Sequence, residues 1–256
     1  SIEKGPYTLS TLAPGVFRIE DANTANPGGI RTDAMGKTVL NNSSDMYVMV
    51  GSDKALIVDL SNFVRWDTTA ITSLQSLVKG IIGNRELYIT ATHRHGDHLG
   101  MLPAFKDDTK AKFWVQVAEF ANRNPFPADR IIDIATLPSL DLGGGYVVNS
   151  FELPGHTEHS TIFFLHGKNL VFTGDGLGSG NGVWIFSYDG FLQYKSSISK
   201  LIAYIQDKKN NVDAKKLLVY SGHYWQKRDK PNLPMQYILD MKTLIEKIGE
   251  GKVEEE

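Results

Sequence analysis

The chain has 256 residues, 41% of them hydrophobic and 22% charged, with a formal net charge of −2 and no cysteine. That size and balance predict one soluble domain over residues 1–256 with a sizeable core. They exclude disulfides and thiolate metal ligands, a membrane span of about 20 apolar residues, and a global positive field for nucleic acid.

Residues 1–14 are polar with prolines at 6 and 14, and the first strand is expected at 15–19. Residues 22–42, rich in Asn, Gly and Thr, read as a long loop: either a flap near the active site, since they lead into a core strand, or a mobile loop uninvolved in it. Two apolar runs, 45–50 and 55–60, flank Gly51-Ser52-Asp53-Lys54 and predict a hairpin. Residues 65–79 carry Ala70, Leu74, Leu77 and Val78 at helical spacing, with Gly80 as the stop. A strand at 86–92 follows, then a helix opening at 99–105, a strand at 112–117 and a short helical piece within 118–130. Residues 131–134, 146–153, 161–165 and 169–172 are four short strands. An amphipathic helix spans 191–206, with Leu192, Ile198, Leu201, Ile202 and Ile205 as its apolar positions. A strand at 216–220 and a helix at 235–248 close the chain, and Glu254 to Glu256 form a solvated tail. The irregular alternation over 131–173 argues against a doubly wound parallel sheet and for two packed sheets with outer helices.

The strand at 86–92 delivers Thr92-His93-Arg94-His95-Gly96-Asp97-His98-Leu99-Gly100. Three imidazoles and a carboxylate fall within six residues of a chain that has seven histidines in all. First-row divalent metals take imidazole nitrogen and carboxylate oxygen, and a strand end is rigid enough to aim them. Backbone alternation puts His93 and His95 on one side, and the turn at Gly96 brings Asp97 and His98 to the same point. Four donors exceed the need of one catalytic metal with an open position, so the stretch points to two. The second half repeats one device: a strand ends, a small or kinking residue follows, then Gly, then a potential ligand. It occurs at Pro154-Gly155-His156, Thr173-Gly174-Asp175 and Ser221-Gly222-His223, giving seven converging donors.

With H-x-H-x-D-H at 93–98 and these three elements in order, the chain resembles the metallo-β-lactamase superfamily from about residue 45 to residue 223. The resemblance implies an α/β (α+β) fold, a four-layer αββα sandwich of two mixed β-sheets flanked by helices, with a two-metal site at one sheet edge. It implies His93, His95 and His156 on the first metal, Asp97, His98 and His223 on the second, and Asp175 bridging. Two metals about 3.5–4 Å apart can hold a hydroxide and polarise a carbonyl or phosphoryl oxygen. Two Zn2+ suit this nitrogen-rich set, and iron or manganese also fits. Asp97 can in addition orient the hydroxide or shuttle its proton. Asp59, at the end of a strand, and His159 are candidates for supporting the ligands from behind, although a surface role is favoured for His159. His166 reads as a hairpin residue. Trp184, Phe186 and Tyr188 alternate in a glycine-rich loop and, with Tyr194, Tyr224 and Trp225, can wall an apolar pocket or simply pack that loop. Lys227, Arg228 and Lys230 can hold an anionic group, with ordinary solvated charge favoured.

Fold does not fix the reaction. The absence of cysteine excludes the β-lactamases with a cysteine ligand, and the cysteine-free type usually lacks an acid like Asp175, so β-lactamase activity is disfavoured. The flavin-linked and RNA-processing branches call for further domains or a basic arm. Gly155-His156-Thr157 and Gly174-Asp175 resemble the glyoxalase II and lactonase branch, which implies a two-zinc hydrolase of a small ester, thioester or lactone. The chain after His223 looks too short for the glutathione-binding extension of glyoxalase II. The alternatives are a phosphodiesterase or sulfatase on the same metals, and a metal-dependent binding protein without turnover. The expected partner is a small-molecule substrate, not nucleic acid. The expected compartment is the cytoplasm or, after leader removal, the periplasm or exterior, and the sequence sets no oligomeric state.

Overall fold

Several strands carry apolar residues at consecutive positions, which requires both of their faces to be buried. In the 54–58 strand, Ala55 and Ile57 join one apolar cluster while Leu56 and Val58 join another. In the 161–165 strand, Phe163 and Leu165 share that second cluster, and Ile162 and Phe164 enter a third. Period-two alternation through two stacked sheets therefore makes three apolar layers, with helices closing the outer two.

The computed structural model describes residues 1–21, 44–65, 67–179, 182–224 and 232–251, and the backbone of 30–32 and 38–40. The first sheet comprises β1 (Ile2–Lys4), β2 (Tyr7–Ala13), β3 (Val16–Asp21), β6 (Met46–Val50), β7 (Lys54–Val58), β8 (Glu86–Thr90), β9 (Lys112–Val115) and β10 (Ile131–Asp133), in that spatial order. It is antiparallel as far as β7 and parallel from β7 to β10. Between β3 and β6, β4 (Ile30–Thr32) and β5 (Thr38–Leu40) pair only with each other. The second sheet runs β11 (Ser139–Asp141), β12 (Val147–Glu152), β13 (Thr161–Leu165), β14 (Leu170–Gly174), β15 (Leu218–Ser221) and β16 (Leu233–Pro234), with only β14 and β15 parallel. Helix α1 (Ala70–Ile82) covers the first sheet through Leu74, Leu77, Val78 and Ile82. Helices α2 (Tyr188–Gln206) and α3 (Met235–Gly249) cover the second. The result is the four-layer αββα sandwich of two mixed sheets. Among the described residues, no helix is long and apolar enough to cross a membrane.

The structure departs from the sequence expectations at the edges. Residues 1–14 hold two strands, because Tyr7 and Leu9 alternate inward between Thr8 and Ser10 on a half-buried edge. Helix α1 runs through Gly80 and stops at Gly83, whose φ of 62° is a conformation glycine adopts freely. No α-helix forms at 99–105. Pro103 removes a backbone donor, and a short 3-10 turn, Leu102–Ala104, stands there instead, preceded by another at Gly96–His98. Helix α2 starts at Tyr188, capped by Ser187 Oγ accepting from the Gly190 N–H at 3.0 Å, and Leu192 faces outward. The expected flap at 22–42 lies outside the described residues except for the backbone of β4 and β5.

Trp114 anchors the contact between the sheets. It is fully buried against Phe163, and its indole N–H donates to Leu137 O at 2.7 Å. Trp114→Ala is expected to lower unfolding free energy by about 3–5 kcal/mol through the cavity it leaves. Trp114→Phe should lower it by about 1–3 kcal/mol, through the smaller cavity it leaves and the lost indole bond to the Leu137 carbonyl. Urea midpoints at unchanged slope would check both.

Candidate metal centre

Every expected metal donor follows the carboxyl end of a strand. The loop after β8 carries His93, His95, Asp97 and His98, and the loops after β12, β14 and β15 carry His156, Asp175 and His223. Asp59, one residue beyond β7, organises the first loop. Its carboxylate accepts the Thr92 N–H at 2.7 Å and the Thr92 hydroxyl at 2.8 Å, and it pairs with His98 Nδ1 at 2.7 Å. Asp59 has φ 64°, a strained backbone for a residue with a side chain, which turns the carboxylate back under the loop. Gly174 has φ 51°, and a Cβ there would collide with the Thr92 hydroxyl, so glycine is what lets β14 end against β8. At Gly155, φ 145°, a Cβ would strike Tyr194.

The donors form two groups whose ligating atoms all lie within 4.8 Å of one another: His93, His95, His156 and Asp175, and Asp97, His98, Asp175 and His223. In the first, His95 Nδ1 stands 3.1 Å from both His93 Nε2 and His156 Nε2. Three nitrogens at about 2.05 Å from a tetrahedral zinc would be separated by about 3.3 Å, so the spacing fits a shared cation. In the second, His223 Nε2 lies 3.2 Å from Asp97 Oδ2 and 3.1 Å from Asp175 Oδ1. Asp175 belongs to both groups, with Oδ2 toward His93 (3.7 Å) and His156 (3.5 Å) and Oδ1 toward His98 (3.2 Å). His98 Nε2 and Asp175 Oδ1 are buried and lack hydrogen-bond geometry even to each other, an arrangement a cation between them resolves. The outward nitrogens are also held: His93 Nδ1 by the Thr92 hydroxyl at 3.0 Å and His156 Nδ1 by the Trp184 carbonyl at 2.6 Å.

Electrostatics divide the groups. Burial, reinforced by the neighbouring imidazoles, holds His93 well below the usual imidazole range and lowers His95. Burial also opposes charge on His98, but the carboxylates of Asp175 and Asp59 outweigh it and hold that ring well above the range. At His223 burial is outweighed by the facing carboxylates of Asp175 and Asp97, which lift it to about 9. Despite their own burial, Asp97 and Asp175 stay far below the carboxylate range because His98 and His223 face them.

Residue range 41–223 matches the metallo-beta-lactamase superfamily profile. The chain belongs to that superfamily. It is 24% identical over 226 residues to a metallo-beta-lactamase fold-containing protein of Sulfurisphaera tokodaii, covering 76% of this chain and 78% of the relative. It is 29% identical over 140 residues to a hydroxyacylglutathione hydrolase of Prochlorococcus marinus, covering 54% of this chain and 51% of that protein, so it spans about half the relative's length. A solved metallo-beta-lactamase from Pontibacter korlensis shares the fold at TM-score 0.63 and 14% identity, over 94% of this chain and 99% of that one.

The remaining candidates have other places. Tyr194, expected on a substrate wall, is 0% exposed in the core beneath α2, and its hydroxyl donates to Gly176 O at 2.6 Å. The His159 ring is bonded to Glu152 at 2.6 Å, away from the donors, as expected of a surface residue rather than a support. Tyr224 lies under the Arg18 guanidinium, 3.7 Å from its ring centroid, and its N–H donates to Asp45 Oδ2. The Trp184 indole is 67% exposed, so its carbonyl rather than its ring serves the site. Phe186 is the aromatic that meets the donors, with centroids 6.0 Å from His95 and 5.5 Å from His156. These rings border a cleft of about 320 Å³ that includes Arg94, Asp189 and Gln193. Trp225, Lys227, Arg228 and Lys230 lie outside the described residues. A larger cavity, about 730 Å³, opens at the opposite ends of β8 and β9. Of its cations, Lys79, Arg85 and Arg130 are engaged by backbone carbonyls and Lys112 by Glu86, and Lys110 also lines it.

Imidazoles that carry protons at neutral pH must release them to a metal. Zinc binding at pH 7.5 is expected to liberate on the order of one to two protons per chain, read as a calorimetric enthalpy that varies with buffer ionisation enthalpy. The release should shrink above about pH 9, where His223 is already neutral. A buffer-independent enthalpy at pH 7.5 would contradict it.

Proposed function

We propose that the chain is a binuclear zinc-dependent hydrolase acting on a small ester, thioester or lactone. The observation that carries the proposal is Asp175, whose two oxygens face two separate sets of donors. In this reading His93, His95 and His156 hold one cation, Asp97, His98 and His223 hold the other, and Asp175 joins them. The pair of cations supplies a water of lowered pKa and Lewis acidity toward a carbonyl oxygen. The chain supplies the aim. Thr92, Asp59 and the Trp184 carbonyl fix which nitrogen of His93, His98 and His156 faces inward. Asp97, the least buried carboxylate of the set, stays ionised and can orient a water or take its proton at the carboxylate. Phe186 keeps solvent from one side of His95 and His156. The similarity to a protein named as a hydroxyacylglutathione hydrolase supports acyl transfer to water over other chemistries on the fold.

The test is metal content per chain together with turnover of an aryl ester, a thioester, a lactone, an aryl phosphodiester, an aryl sulfate and a cephalosporin. Two metals per chain and turnover confined to the ester, thioester or lactone, abolished by His98→Ala, is the expected result; preference for the cephalosporin would overturn the choice of substrate class. Preference for the phosphodiester or sulfate would move the reading to that class. Bound metal with no turnover on any substrate would leave a binding protein. A separate expectation concerns support: Asp59→Ala should weaken metal binding about 10–100-fold by freeing His98, as measured by chelator competition.

A further inference from the structure

Glu119 lies in the 3-10 turn Val117–Phe120 that follows β9, and its side chain is 1% exposed. A carboxylate is buried only when its oxygens are satisfied, and here two different loops satisfy them. The Arg94 N–H donates to Oε1 at 2.9 Å, and the His159 N–H donates to Oε2 at 3.0 Å. The Arg94 guanidinium stands 3.3 Å from each oxygen and balances the charge. Arg94 is the residue between His93 and His95. His159 closes the turn that carries His156, where Gly155 N–H donates to Thr157 O and Leu153 N–H to Ser160 O.

These loops leave different sheets, the first after β8 and the second between β12 and β13. The bond to Arg94 N–H fixes the peptide plane joining His93 to Arg94, and so the angle between two inward imidazoles. The bond to His159 N–H fixes how far the His156 turn stands from them. We propose that Glu119 is a positioning residue for the His93–His95–His156 set: a buried anionic staple that holds its two loops at the separation one cation needs. The proposal rests on the metal-centre reading above. Only a carboxylate of this length fits the task. Glutamine would turn an NH2 toward one of the N–H donors, and aspartate is a methylene too short to reach both loops.

Each donor set can be read alone by Co2+ titration against a competing chelator, following visible absorption, in His223→Ala (first set intact) and His95→Ala (second set intact) backgrounds. Adding Glu119→Gln is expected to weaken cobalt binding about 10–100-fold and shift its band in the His223→Ala background. In the His95→Ala background it should change affinity by no more than about twofold, because Glu119 bonds none of the Asp97, His98, Asp175 and His223 donors. Equal losses in both backgrounds, or no loss in the first, would overturn the proposal. If Glu119→Gln does not fold, amide exchange in the wild-type protein decides: Arg94 and His159 protected alike is expected, and free exchange of either overturns it. A wild-type chain that takes up no cobalt would overturn the metal-centre reading itself, whereas normal uptake by wild type and variant alike would overturn only the staple.

Discussion

The donors leave two separate sheets, so the site exists only while those sheets hold one register. Apolar burial between them, through Trp114, Tyr47, Phe163 and Phe172, is large but not directional and would tolerate a slide of an ångström. Hydrogen bonds across the gap do not. The Thr161 N–H donates to Thr92 O at 2.8 Å, the Asp45 N–H to Gly222 O at 2.6 Å, and the Tyr47 hydroxyl to Ser221 O at 2.5 Å. Each joins the sheets within two residues of a donor, at His93 or at His223. The cross-sheet bonds are thus placed where an error in register would matter most to a cation.

Holding so many ionisable groups together works against the fold. Buried imidazoles depress one another's protonation, as His93 and His95 show, and buried carboxylates carry a desolvation penalty that only pairing offsets. The chain distributes that load. Asp59 shares its charge among Thr92 and His98, Glu119 is matched by Arg94, and Asp175 is shared by four imidazoles. Among the buried side-chain atoms without a hydrogen-bond partner are His98 Nε2 and Asp175 Oδ1, both in the Asp97–His98–His223 set, and Asp59 stores backbone strain beside them. At these atoms a cation restores the balance, consistent with stability given up locally for function.

Local chemistry was legible in the sequence, and relations between distant segments were not. H-x-H-x-D-H packs four donors into six residues, and the glycine after each later strand marked His156, Asp175 and His223, because a close approach leaves a trace in the residue that permits it. Tyr194 was misplaced although a signal existed. It falls at i, i+4, i+7, i+8 and i+11 with Ile198, Leu201, Ile202 and Ile205, the buried stripe of α2, while Leu192 is off that stripe and 45% exposed. Its aromatic character drew it to the pocket, but its spacing belonged to the core. Strands β1 and β2 were hidden by polar composition: the edge strand β1 is exposed throughout, and β2 beside it puts only Tyr7 and Leu9 inside. Glu119 and the Trp184 carbonyl left no local mark at all: one acts by accepting from two remote N–H groups, the other through a backbone atom every residue has.

The two donor sets meet the same demand by different means. Around His93 and His156 the outward nitrogens face a hydroxyl and a carbonyl, neutral partners that orient a ring without favouring its charge. At His98 the outward nitrogen faces the Asp59 carboxylate, and the inward nitrogens of His98 and His223 face Asp97 and Asp175, which together stabilise these rings as cations. A carboxylate behind an imidazole strengthens it as a ligand once the proton has gone, but proton and metal then compete for the same nitrogen. The set supported by neutral groups is therefore the more nearly preorganised for a cation at neutral pH, and the carboxylate-rich set the more strongly coupled to protons. Asp175 spans that boundary and links the electrostatics of one half to the geometry of the other.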